Sequence, residues 1–152
     1  MTCCFTGHRA LPPEEIPAIK KRLEDAVADV IGRGADTFLA GGALGFDTLA
    51  AQTVLAMRAQ HPQTRLILVL PCRDQAKFWG PADREAYEWV KAGADRVIYT
   101  AQTYRRGCMH LRNRYLAEHS DCCICYLTQP AGGTRYTVAA CRARGLPVLN
   151  LA

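Results

Sequence analysis

Short apolar runs alternate along this chain with longer stretches whose apolar residues recur every three or four positions. The first run, TCCFT over residues 2–6, stops at Gly7 and predicts a strand. Pro12, Pro13, Glu14 and Glu15 then open a helix, with acid in the first turn where the helix dipole favours it. Ile16, Ile19, Leu23, Val27 and Val30 form its apolar stripe, and Gly32 and Gly34 end it. DTFLAGG predicts a second strand and residues 44–60 an alanine-rich helix. RLILVL, residues 65–70, is apolar on both faces, as a strand buried in a parallel sheet must be. Residues 83–92 read as a helix, RVIYT as a strand, 108–119 as a helix, DCCICYL as a strand, 134–144 as a helix and PVLNL as a final strand.

Strand and helix thus alternate to the end, which predicts an α/β fold: a Rossmann-like, doubly wound, mainly parallel sheet with helices on both faces. No linker, repeat or low-complexity segment interrupts the pattern, so residues 1–152 are expected to form a single domain. The longest irregular piece, about residues 71–82, contains Trp79.

Composition changes this picture little. Apolar residues make up 49% of the chain and charged ones 22%, the balance of an ordinary globular protein. No apolar run approaches the ~20 residues of a membrane span. MTCCFTGHR lacks the basic start and long apolar stretch of a signal peptide. The expectation is a cytoplasmic protein with no membrane partner. The eight cysteines sit inside apolar runs and form no CxxC pair. Cys122 and Cys123 point to opposite faces of a strand, so the thiols are expected to be buried, reduced small hydrophobes, with no metal site. The net charge is +5, with a local excess in YRRGCMHLRNRY, residues 104–115. Arg105, Arg106, Arg112 and Arg114 there suit a phosphate-bearing ligand or a solvated helix face. The charge is too modest to argue for nucleic acid, which is not expected as a partner.

Ligands of such sheets bind beyond the carboxyl ends of the strands. The corners that fall there are TGHR after the first strand, GGALGFD after the second, PCRDQAKFWG after the third, TAQTYRRG after the fourth and QPAGGTRYT after the fifth. Glycine lets backbone N–H groups approach an anion, and the helix that follows aims its positive end at the same place. Gly41, Gly42 and Gly45, and then Gly132, Gly133 and Thr134, therefore predict two anion cradles on one rim. Thr6 and Gly7 end the first strand beside them. Asp47 repels phosphate but can accept bonds from a ribose hydroxyl or a base amine, so a ligand carrying both phosphate and ribose accounts for both features. Arg9 and Arg112 suit phosphate oxygens. Asn113 and Gln75 offer hydrogen bonds, and Trp79 a face on which a base can stack. Each has a plainer reading: glycines serving only the turn, Asp47 favouring the helix dipole, Trp79 packed as a lid, Arg112 paired with a surface acid. His8 and His110 are acid–base candidates, or structural groups. A bulky residue at Gly42 is expected to abolish ligand binding and leave the fold standing. The spacing matches neither GxGxxG nor the phosphate loop GxxxxGK[ST].

The ordered set TGHR, GGALGFD, PCRDQAKFW, RNRYLAEHSD and PAGGTRYTVAACRARG resembles the YpsA-like branch of the SLOG superfamily, over nearly the whole chain. That superfamily groups the DNA-processing protein DprA with the Lonely Guy phosphoribohydrolases. The resemblance implies a Rossmann-like domain that binds a nucleotide or nucleotide-derived ligand. With two cradles and no catalytic acid at the matching position, a sensor or regulatory domain is the expected role, with a bound nucleotide or ADP-ribose-like ligand and no required cofactor. It implies binding roles for Gly41, Gly42, Gly45, Asp47, Gln75, Trp79, Arg112, Asn113, Gly132, Gly133 and Thr134. Lonely Guy enzymes carry PGGxGTxxE, whose glutamate is implicated in N-glycosidic cleavage; here Thr137 stands at that position. That departure counts against hydrolysis. A nucleoside-monophosphate phosphoribohydrolase is the alternative reading and single-stranded DNA binding a further one. A homodimer through outer helices is the expected assembly.

Overall fold

The computed structural model describes all 152 residues, and each apolar run takes the form its period predicts. The elements are β1 (Thr2–Gly7), a 3-10 turn (Pro13–Glu15), α1 (Ile16–Gly32), β2 (Thr37–Ala40), α2 (Phe46–Met57), β3 (Arg65–Leu70) and α3 (Pro81–Gly93). There follow β4 (Arg96–Tyr99), α4 (Cys108–Glu118), β5 (Cys122–Tyr126), α5 (Gly133–Ala143) and β6 (Val148–Asn150). The six strands form one sheet in the order β4-β3-β2-β1-β5-β6, and every pairing is parallel. Its outermost strands are short, four residues in β4 and three in β6.

Alternation along the strands sorts their side chains into two cores. Cys3, Phe5, Phe38, Ala40, Leu66, Leu68 and Leu70 face α1, α2 and α3, in a core of 21 buried residues. Cys4, Leu39, Val69, Cys123 and Cys125 face α4 and α5, in a smaller core of 9. Cys122 packs against the first core and Cys123 lies in the second, as the strand period requires. No helix is long and apolar enough to cross a membrane.

Topology places the functional rim. β1 leads into α1 on one face of the sheet, while its neighbour β5 leads into α5 on the other. The chain therefore diverges at the carboxyl ends of β1 and β5, the switch point at which open α/β sheets leave a crevice.

Candidate functional site

A cavity of about 360 Å³ opens at this switch point. Thr6, Gly7, His8, Arg9 and Ala10 supply one wall from the end of β1. Gln129, Ala131, Gly132, Gly133 and Thr134 supply the opposite wall from the β5–α5 turn. Ala43, Asp47 and Gln75 approach from the neighbouring corners. Met109, Arg112, Asn113 and Leu116 line it from one face of α4, at the i, i+3, i+4, i+7 spacing of a helix.

The α5 wall is built to donate. Gly132 caps the helix at φ +107° and ψ −176°, a conformation nearly confined to glycine, and brings no side chain to the cap. The first helical bond of this turn runs from Tyr136 N–H to Gly132 C=O. The N–H groups of Gly133, Thr134 and Arg135 thus have no acceptor within the chain. A Cβ on Gly132 would meet nothing within 4 Å, and one on Gly133 only Asn113 Nδ2 at 3.4 Å. This corner is open.

The first glycine corner is different, and the expectation of a second open corner there is not met. Gly41, Gly42 and Gly45 do not line the cavity, because the chain's own atoms fill the space their missing side chains leave. A Cβ on Gly41 would lie 2.6 Å from Arg112 Nη1 and 2.8 Å from Asp47 Oδ2. On Gly42, at φ +70°, it would lie 2.3 Å from Leu70 Cδ2. On Gly45, at φ +74°, it would strike the carbonyls of Arg9 and His8. These glycines admit close packing of side chains and backbone. Replacing Gly42 is therefore a blow to the fold, contrary to the expectation that the fold would stand.

What this packing holds is a pair of buried charges. Arg112, 6% exposed, donates from Nη1 to the carbonyl of Gly41 and from Nε to Asn113 Oδ1 at 2.8 Å. It pairs with no surface acid. Asp47, 5% exposed, accepts from Ala43 N–H at 3.2 Å through Oδ2, while Oδ1 is buried with no partner. Burial pushes the Asp47 carboxyl up to about 6, against the opposing pull of Arg112, the Ala43 amide and Arg9. Burial likewise presses the Arg112 guanidinium downward from its ordinary value, and Asp47 opposes the change. Gln75 is fastened by its amide to the Gly42 carbonyl at 2.9 Å.

His8 accepts from Thr128 N–H at 2.8 Å through Nε2, and burial lowers its pKa. It ties the ends of β1 and β5 together as a neutral ring. His110 lies outside the cavity, stacked on Tyr136 at 4.4 Å. Trp79 does not line the cavity either; it packs edge-on to Tyr87, with the Arg9 guanidinium 6.0 Å from its ring. The exposed ring of that loop is Phe78, 90% exposed. Thr137 is wholly buried and donates to Gly133 C=O at 3.0 Å, so the position that carries the glutamate in Lonely Guy enzymes faces the core of this chain. Sequence reasoning missed Met109, Leu116 and Gln129. For the first two the signal was present, since they share a helical face with Arg112 and Asn113.

A parallel sheet with a crevice at its central switch point and an uncapped helix aimed into it defines a Rossmann-like α/β fold. Within that class the chain belongs to the YspA SLOG family, whose profile matches residues 4–145. A UPF0398 protein of Halalkalibacterium halodurans is 32% identical over 108 residues, 70% of this chain and 57% of that protein. One from Bacillus cereus is 27% identical over 133 residues, 86% of this chain and 72% of that protein. The chain thus spans little more than half the length of the first of these relatives. Two solved structures share the fold: DNA processing protein A of Helicobacter pylori and that of Streptococcus pneumoniae. Their TM-scores are 0.68 and 0.69 at 17% and 18% identity, covering 97% of this chain and 63% and 48% of those chains. The Helicobacter protein binds single-stranded DNA.

Proposed function

We propose that this chain binds a nucleotide or nucleotide-derived ligand in the β1/β5 crevice, as a sensing or regulatory domain. One observation carries the reading. Two N–H donors without acceptors, on Gly133 and Thr134, share a cavity with Asp47, whose buried Oδ1 lacks a donor. Phosphate oxygens accept hydrogen bonds, and a ribose hydroxyl can donate one. A molecule with both groups satisfies both walls, with Arg112 supplying positive charge between them. Asp47 is the only acid lining the cavity, and Thr137 is turned into the core, so binding without base release is the expected behaviour.

Calorimetric titration with AMP, ADP-ribose and inorganic phosphate tests this, using wild type and Gly133→Ala. A methyl group there meets only Asn113 and sits in the first turn of α5, where alanine is well tolerated. The expected result is binding by wild type that Gly133→Ala weakens at least about tenfold at unchanged thermal stability. Equal affinity in the two proteins overturns the cradle. Free base released from AMP, and lost in Asp47→Asn, would reassign the site to a hydrolase.

A second reading, single-stranded DNA binding, rests on charge. Residues 1–102 hold twelve basic and twelve acidic side chains, whereas residues 103–152 hold seven arginines against Glu118 and Asp121. Arg105, Arg106, Arg114, Arg135, Arg142 and Arg144 are exposed on α4, α5 and their approaches, and none forms a salt bridge. Tyr104, 66% exposed, and the stacked His110–Tyr136 pair lie among them. With the DNA-binding fold relative from Helicobacter, this takes away the ground for setting nucleic acid aside. Anisotropy of a labelled oligothymidine separates the readings. A DNA site on this face loses affinity steeply between about 50 and 200 mM salt, whereas a mononucleotide site changes far less.

A further inference from the structure

The smaller core contains a feature that the crevice does not use. Cys4 of β1, Cys123 of β5 and Cys141 of α5 bring their sulfurs within 4.8 Å of one another. All three are free thiols, and none is more than 1% exposed. Their convergence follows from the fold. Cys4 and Cys123 are register partners on adjacent strands and face the same helical layer. Cys141 comes down from α5, which packs directly on β5 and β1. The sequence separations, over 100 residues between the first two, hide the group from any spacing motif.

We propose that these three sulfurs form a binding site for a soft monovalent cation of the Cu(I) type. Three sulfurs around one ion at a bond length of ~2.3 Å stand about 4 Å apart, so closure from the present positions moves each by less than about 1 Å. That is within reach of side-chain rotation. Leu39, Val69, Leu116, Ala117, Cys125 and Val138 complete the surrounding core. Zinc favours a fourth nitrogen, sulfur or oxygen ligand, and no fourth histidine, cysteine or carboxylate joins the three sulfurs within 4.8 Å, whereas thiolate-only coordination suits Cu(I). Ser120, next to Cys4, holds a buried hydroxyl with no partner, a group able to hydrogen-bond a ligating sulfur. On binding, each thiol that becomes a thiolate releases its proton to solvent as its S–H bond is replaced by a metal–sulfur bond. The copper stays Cu(I) throughout, so no oxidant or reductant is needed. The site is separate from the proposed nucleotide site, although Leu116 borders both.

The test is anaerobic titration of the whole, reduced chain with Cu(I) against a chromophoric Cu(I) chelator. The expected result is one copper per chain withheld from the chelator, with affinity reduced at least about a hundredfold in Cys141→Ser and in Cys123→Ala. Cys72→Ser, a buried thiol outside the group, should be unchanged. X-ray absorption of the loaded protein should give two or three sulfurs and no nitrogen in the first shell. Circular dichroism shows whether each variant is folded, and any one folded variant decides the matter. Copper lost to the chelator by folded wild type, or retained equally by Cys141→Ser and Cys123→Ala, overturns the proposal.

Discussion

Asp47 is a residue whose burial pH can read. Its carboxyl titrates near 6 in the fold and near 3.8 in the open chain, so the folded state holds the extra proton between those values. Stability from this group is therefore present below the range and lost as pH rises through about 6. Wild type should lose on the order of 1 kcal/mol between pH 5 and 7 relative to Asp47→Asn, measured by urea denaturation at both pH values. His8 works in the opposite direction, because burial favours its neutral form, and the comparison with Asp47→Asn cancels it. Arg112 makes a sharper case. Its removal leaves the Gly41 carbonyl and Asn113 Oδ1 without their donor and Asp47 without its nearest positive charge. Arg112→Met should cost roughly 3 kcal/mol or more, and Arg112→Lys should recover little, since one ammonium cannot reproduce the planar fork.

At the scale of elements, two glycine corners that look alike in sequence do opposite work. GGALG closes on Arg112, Asp47, Leu70 and the β1 turn, whereas AGG before α5 stays open. Gly42→Ala should destabilise by about 2–3 kcal/mol, through a positive φ and the contact with Leu70, and thermal melts will show it. Gly133→Ala should leave the melt in place. Which corner is open was not legible in the chain, because it depends on side chains that arrive from α4 and β3, far away in sequence. The elements themselves were legible: RLILVL is β3 to the residue, since after Arg65 its five residues are all apolar, as a strand covered on both faces requires. The helix foreseen over 44–60 shortens to Phe46–Met57, because the positive φ of Gly45 delays its start. The α4 lining was half legible, as its helical period joins Arg112 and Asn113 to Met109 and Leu116. The Cys4–Cys123–Cys141 group was invisible, for it exists only once β1 and β5 are neighbours.

Over the whole molecule, charge is divided. The α1–α2–α3 portion is balanced, and the arginine excess lies with α4 and α5, on the side of the sheet that carries the open corner. Anionic ligands should approach that side faster, and association rates measured by stopped flow should fall with salt more than dissociation rates do. Neighbouring copies meet a different constraint. A sheet that ends in strands of four and three residues exposes too little continuous backbone to template strand addition by another chain. Self-association is left to the helical flanks, where Trp89, 58% exposed on α3, provides an intrinsic fluorophore to report it.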